Sequence, residues 1–316
     1  MYPIGQVYSH KAYVAWRNGE TELKPHRQEW RAIRDAEPWR VNHWDELRLG
    51  VSFLTLMNKR SVLYFRGQRQ HYKKCLPALF RSQWFLNGNT EPFQLSSQSR
   101  LRYYELLRDK LRTAVYRVVN TIGTPRRYII ETLPAATASV LQHYELWPTP
   151  FIDLTRSLPT AVAFATAHAT TGKSYLYVFA MPDLRGSITT DMDQHMVLSR
   201  LEAVCPPAAK RPHHQDAYLV ARAPEPHNIN DQHLWADWEK KSDLMRRLVA
   251  KFELVHGTPP FSGVPVVPHD HLIPPIESDP FLEILTTQLR PMIVGLIGQI
   301  ADEKGDGVKP KPNIPC

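Results

Sequence analysis

The chain has 316 residues, 43 % apolar and 22 % charged, the balance of an ordinary soluble globular protein with length for one large domain or two. No apolar run nears the roughly 20 residues that span a bilayer, and three cysteines without C-x-x-C spacing exclude a disulfide framework. Lys and Arg number 39 against 31 Asp and Glu, a formal net charge of +8, which suits a polyanionic partner, nucleic acid or a dinucleotide, and equally a merely solubilising surface.

Residues 1–50 form a basic, Trp-rich arm with Trp16, Trp30, Trp39 and Trp44; these rings either stack on bases or dock the arm onto the core. The start has no charged-then-apolar signal pattern, so the cytoplasm is the expected location. Residues 27–49 read as helical with a break at Pro38, and 45–58 as an apolar-faced helix. The β-rich run 61–68 ends on Arg66-Gly67-Gln68, an arginine placed to clamp an anion and a glycine that lets the backbone turn or approach a ligand. Residues 75–81 read as a loop and short helix carrying Arg81, and 82–96 as a polar loop. Apolar residues at helical spacing predict a helix over 98–120.

A second helix, 134–144, delivers Gln142, His143 and Tyr144 at its end. Two prolines then force an extended passage into a strand ending near Asp153. Ser157 is placed to cap a small-residue helix over 158–168, with Pro159 in its first turn. Strands are expected at 174–181 and 215–220, separated by a polar stretch over 182–211. A basic amphipathic helix over 233–252, a Pro-rich connection over 254–280, a helix over 281–302 kinked at Pro291 and a disordered tail complete the chain. The organisation expected is an arm (1–50), an α+β domain (51–255) and a C-terminal connection, helix and tail (256–316).

The richest stretch is 141–169, LQHYELWPTPFIDLTRSLPTAVAFATAHA. Its polar side chains sit among apolar residues where a plain core would hold none, so the cluster is either a hydrogen-bonded structural knot or a site. Fourteen histidines give two close clusters, His213-His214 and His269-Asp270-His271, neither with a Cys or Glu at ligand spacing, so no metal is expected. P-loop, GxSxG, HExxH and GxGxxG motifs are absent.

Three separated stretches resemble the FRG domain family of mostly bacterial proteins. They are Tyr64-Phe65-Arg66-Gly67-Gln68 with Leu76-Pro77-Ala78-Leu79-Phe80-Arg81; Leu141-Gln142-His143-Tyr144 continuing to Asp153-Leu154-Thr155-Arg156-Ser157 and Phe164-Ala165; and Arg211 with Gln215 and Tyr218. Where the family has Gly-Leu-Pro-Thr-Arg after the His-Tyr pair, this chain has Glu145-Leu146-Trp147-Pro148-Thr149-Pro150, without that glycine and arginine, and Leu154 replaces the usual Trp.

A more distant similarity is to the NAD-binding core of ADP-ribosyltransferases. It implies an α+β fold in which small mixed sheets, flanked by helices, form a cleft that takes NAD as substrate. On that resemblance Arg66, with Gly67, Gln68 and Arg81, holds the pyrophosphate. Thr155 and Ser157 match the Ser-Thr-Ser stretch, and Tyr144 or Tyr218 stacks on nicotinamide. His143, Asp153 and Gln215 surround the ribose or serve the acceptor, with Gln215 or Asp216 standing where the superfamily has a glutamate. The function implied is an effector or toxin that ADP-ribosylates a macromolecule, DNA, RNA or protein; the alternatives are a module that binds nucleic acid or nucleotide through its basic surface without turnover, and a protein in which the cluster only locks the fold.

Overall fold

A computed structural model describes residues 7–25, 30–81, 83–84, 93–94, 104–105, 107–122, 127–167, 172–223, 232–255, 261 and 267–296. Its centre is an eight-stranded mixed sheet. The strands are β1 (Trp39–Val41), β2 (Val62–Gln68), β5 (Ile152–Thr155), β6 (Lys173–Met181), β7 (Ile188–Asp191), β8 (Met196–Arg200), β9 (Ala217–Arg222) and β10 (Leu248–Val255), in the order β1-β10-β6-β2-β5-β9-β8-β7. A separate ribbon pairs β3 (Gln83–Trp84) with β4 (Phe93–Gln94). Among the described residues only β1 and β10 pair in parallel; the other pairs are antiparallel. Helices surround the sheet, and the expected α+β class holds.

The sheet is pinched in the middle. β2 runs against β6 along seven residues, from Val62 opposite Met181 to Gln68 opposite Tyr175. Against β5 it meets at one register position, Phe65 opposite Thr155. One half is packed by the helices His10–Arg17, Trp44–Met57 and Leu158–Thr166, around Leu54, Phe65, Val178 and Phe252. The other half is packed by Arg112–Thr121, Pro134–His143 and the C-terminal helix, around Val115, Val140, Leu219 and Phe281. The opposite face carries a third apolar cluster, including Tyr64, Ile152, Tyr177, Phe179 and Val220, covered by Ile33 and Met245.

Local chemistry sets these elements. Ser157 accepts from the Thr160 amide at 3.2 Å and caps the Leu158–Thr166 helix, as its sequence position predicts. That helix rides directly over β2: a Cβ added to Gly67 would lie 1.8 Å from the Ala161 carbonyl oxygen and 2.7 Å from the Ala165 amide nitrogen. The glycine is therefore required for close approach to a helix rather than for a turn. Pro291 is accommodated by a π-helical segment, Leu285–Leu289, inserted ahead of it.

Several expectations are corrected. Within 27–49 the chain forms the helix Trp30–Asp35, then β1 and then the helix Trp44–Met57, so the N-terminal region contributes a strand to the main sheet. The polar stretch 182–211 contains the hairpin β7–β8, whose strands are half polar because β7 is an edge. Residues 233–252 are not one helix: the helix Gln232–Lys241 ends, a 3-10 turn Leu244–Arg247 follows, and β10 begins. β10 carries Lys251 into the interior, where its ammonium donates to the carbonyls of Arg34 and Ala36, both at 2.6 Å. Gln215 and Asp216 precede β9 instead of lying on it; Gln215 ends the helix Lys210–Gln215. The helix expected from residue 98 is described as a π segment, Leu107–Leu111, leading into Arg112–Thr121. Its start, the tail and much of 254–266 lie outside the described residues. No described helix is long and apolar enough to cross a membrane.

Gly67→Ala is expected to destabilise the protein by on the order of 3 kcal/mol, because both blocking atoms are helix backbone and cannot rotate aside. Chemical denaturation of the two proteins side by side checks this; equal midpoints would mean that helix and strand are free to separate.

Candidate functional site

Past Phe65 and Thr155, β2 and β5 part, and a cleft of about 610 Å³ opens between them. Residues 65–69 line one wall and 153–155 the other, with His143, Glu145, Arg211 and Gln215 across the floor and rim. The Arg66 guanidinium spans the gap, Nη1 donating to the Asp153 carbonyl at 2.6 Å. That bond ties β2 to β5 just beyond the single position where the two strands pair.

His143 is the last residue of the Pro134–His143 helix, with its side chain 1 % exposed. Its Nδ1 lies 3.0 Å from Asp153 Oδ1. Gln142 Nε2 donates to Asp153 Oδ2 at 3.3 Å, and Thr149 Oγ1 donates to Gln142 Oε1 at 2.9 Å, so a four-residue relay fixes the carboxylate. Burial pushes the Asp153 carboxyl up, but its hydrogen bond to His143 and the charges of His143, Arg66 and Arg211 more than offset this and hold it below the usual carboxylate value. Burial lowers the His143 pKa, and the bond to Asp153 opposes that only partly. With Asp153 ionised and His143 neutral, Nδ1 carries the proton and Nε2 the lone pair. His143 Nε2 is buried and has no hydrogen-bond partner among the described residues.

Three more buried atoms on this cleft share that state: Arg66 Nε, Gln68 Oε1 and Arg211 Nε. Five basic side chains, Arg66, Arg69, Lys74, Arg81 and Arg211, line the cleft against two carboxylates, Asp153 and Glu145. Asp153 is committed to His143, and Glu145 Oε1 accepts from Arg211 at 3.1 Å. Buried polar atoms without partners are costly unless something binds them, and here donors and positive charge predominate. The arrangement suits an anion with several acceptor oxygens.

Arg66, Gly67, Gln68, Arg81, His143, Asp153, Thr155 and Gln215 thus lie together on the cleft, with Thr155 and Gln215 tied to backbone carbonyls. Thr155 donates to the Gln215 carbonyl at 2.7 Å, and Gln215 Nε2 donates to the Leu272 carbonyl at 2.6 Å. Ser157, Tyr144 and Tyr218 do not line it. Ser157 is spent on its helix cap. Tyr144 is fully buried; its hydroxyl donates to Asp279 Oδ2 at 3.2 Å, which leaves no ring face open to a ligand. Tyr218 is buried edge-on against Tyr64 in the third cluster, ring centroids 5.0 Å apart. The aromatic side chains on the cleft are Phe65, Tyr72 and Phe164, none of which the sequence marks as a stacking platform. Asp216 is also off the cleft, in a left-handed conformation at φ 44°.

Glu145 has φ 55°. That is the left-handed region, which glycine enters without strain and a residue with a Cβ rarely adopts. Its carboxylate lies on the cleft rim, paired with Arg211. His214 and His271 stack with centroids 4.0 Å apart, and among the described residues no group of three or more His, Cys, Asp or Glu is arranged to hold a metal ion.

The His143–Asp153 pair carries a pH signature. His143 has a folded pKa below its unfolded value, so between the two the unfolded chain binds more protons and stability falls as pH falls below about 6.5. Asp153, also lowered, adds stability that is present above its unfolded pKa and lost below about pH 4. In His143→Gln the first decline is expected to shrink, by a slope of up to about 1.4 kcal/mol per pH unit for one proton. Urea titrations of both proteins from pH 7 to pH 5 read the difference, and parallel curves would show that His143 does not titrate as a buried base.

Comparison with known proteins adds a family to this geometry. No curated protein and no solved structure matches the chain. A family model does match, over residues 61–174, a segment that holds Arg66, Gln68, Arg81, His143 and Asp153 but ends before Arg211 and Gln215. Over residues 61–174 the chain matches the FRG domain family model.

Proposed function

We propose that the cleft takes NAD⁺ as substrate, breaks its nicotinamide–ribose bond and passes ADP-ribose to a nucleophile on a macromolecule, nucleic acid or protein. The observation that carries this reading is the set of buried, unpartnered polar atoms, Arg66 Nε, Gln68 Oε1, His143 Nε2 and Arg211 Nε, gathered in one basic cleft large enough for a dinucleotide. Arg66, Arg81 and Arg211 provide charge for the pyrophosphate, and Tyr72 or Phe164 a face for a planar ring.

In the reaction the C–N glycosidic bond breaks, and its electron pair leaves with nicotinamide, which departs neutral. The acceptor oxygen or nitrogen bonds to the ribose C1′, and its proton passes to His143 Nε2. Asp153 stabilises the imidazolium so formed. Glu145, at the rim and 58 % exposed in its side chain, is the carboxylate left to face the cationic ribosyl group. A cytoplasmic effector or toxin is the biological role this chemistry fits.

One observation favours a second reading, nucleotide or nucleic-acid binding without turnover. The position expected to supply the transferase glutamate holds Gln215, whose amide is tied to the Leu272 carbonyl, and Asp216, which is off the cleft.

Incubation of the purified protein with NAD⁺ labelled in the adenylate, plus mixed DNA, RNA and cell protein, separates the two. Turnover predicts nicotinamide release and label in one acceptor pool, reduced about 10²–10⁴-fold in a folded His143→Gln variant by loss of the base. Glu145→Gly relieves the positive φ while removing the carboxylate, so it is expected to fold and to lose turnover. Saturable NAD⁺ binding that needs Arg66 but yields no nicotinamide would establish the binding reading; absence of both would sink the proposal.

A further inference from the structure

On the opposite face of the sheet a second basic pocket lies against the same strands. Ile152, Met196 and Val220 belong to the third apolar cluster and line this pocket, whereas Asp153, beside Ile152 on β5, lines the cleft; alternation along the strand puts the two on opposite faces. The pocket is small, about 50 Å³, and is walled by His195, Arg222, Lys241, Arg246 and Arg247 with Trp30 at one side.

Its charges are unbalanced. Among the described residues the one carboxylate lining it is Asp243, whose Oδ1 accepts from the amides of Cys75 at 2.9 Å and Met245 at 3.1 Å. Lys241 is paired to Asp237 on its own helix. Arg247 donates from Nη1 to Gln194 Oε1 at 2.7 Å and from Nη2 to the Gln194 carbonyl, so it is held in place and adds charge. Arg246 lies over the Trp30 ring, 5.6 Å from its centroid, with Nη1 buried and without a partner among the described residues. His195 sits in a left-handed conformation at φ 55° in the β7–β8 turn, and its Nδ1 is also buried and unpartnered. Burial, joined by the proximity of like charge, lowers the pKa of Arg222, Arg246 and His195, and burial holds Arg247 at about 10. Asp243 and Asp237 act on Arg246, Asp237 on Arg222 and Asp191 on Arg247, yet none of them takes the idle donors of Arg246 and His195.

We infer that this pocket is a binding site for a single phosphate group, held by Arg246 and His195 as hydrogen-bond donors and by Arg222 and Arg247 as charge. The volume admits one tetrahedral oxyanion and excludes a nucleotide base. The phosphate is either a free inorganic ion or the terminal group of a phosphorylated chain, and both offer the same oxygens to the same donors.

Calorimetric titration of the full chain with inorganic phosphate, at constant ionic strength in chloride, tests this. A second arm compares a 5′-phosphorylated oligonucleotide with its dephosphorylated twin. Expected is saturable phosphate binding, or oligonucleotide binding that requires the terminal phosphate, retained in Arg66→Gln and weakened tenfold or more in Arg246→Gln, as loss of a charge-assisted bond implies. Arg222→Gln, which leaves the Trp30 packing intact, is expected to weaken it as well, and guards against a folding defect in Arg246→Gln. Binding that disappears in Arg66→Gln and survives in Arg246→Gln and Arg222→Gln would assign the phosphate to the cleft and overturn the site, as would no binding in either arm.

Discussion

Two strands that pair at one register position leave backbone groups in need of partners just beyond it, and the hydrogen bond from Arg66 to the Asp153 carbonyl answers that need. Were β2 and β5 zipped along their length, the sheet would be continuous and there would be no cleft. Were the gap left unbridged, nothing would tie the Asp153 carbonyl to β2. The arginine that bridges the gap is also the first cation on the cleft wall, so the element that makes the opening and the element that charges it are one side chain. Gly67, next along β2, draws the Leu158–Thr166 helix down onto the strand and sets the wall in which Phe164 sits.

The C-terminal region holds the other side of the site. Asp279 is fully buried; its Oδ1 caps the Pro280–Ile284 helix at the amides of Phe281 and Leu282, and its Oδ2 accepts from the Tyr144 hydroxyl and the Arg211 amide. That one carboxylate ties the helix end delivering His143 to the segment delivering Arg211. Gln215 is tied in the same way to Leu272. The match to the FRG domain model ends at residue 174, so part of the cleft is built by chain outside it.

Motif-bearing residues were legible in the sequence because their chemistry conflicts with their neighbours: Arg66 at the end of an apolar strand, and His143 and Asp153 between apolar runs. The Ser157 cap and the Pro134–His143 helix were legible because local rules specify them. Tyr144 and Tyr218 were not separable from cleft residues, since an aromatic ring in a motif has the same local signature whether it faces a ligand or the core. β10 escaped for another reason. Its Lys251 and Glu253 give a polar rhythm that continues the preceding basic helix, and only distant partners make them acceptable inside: the Arg34 and Ala36 carbonyls for Lys251, and Arg40 and Lys173 for Glu253. The pocket around Arg246 and His195 joins a helix end, a 3-10 turn and a hairpin, and its cations come together only through the sheet.

Strands β5 and β9 therefore separate two concentrations of positive charge by the thickness of a single sheet. In the cleft the carboxylates of Asp153 and Glu145 neutralise part of it; in the second pocket Asp243 is spent on backbone amides. Like charges crowded in this way oppose folding, and an anion that binds only the folded chain removes that opposition in proportion to its concentration over its dissociation constant. The core on either side of the pinch, Phe179, Leu198 and Val220 on one face and Leu219, Val140 and Phe281 on the other, must hold the strands against that repulsion. The apolar density of β6, β9 and β10 and the basic character of the chain are in this sense parts of one balance, in which sheet packing holds the cations in place.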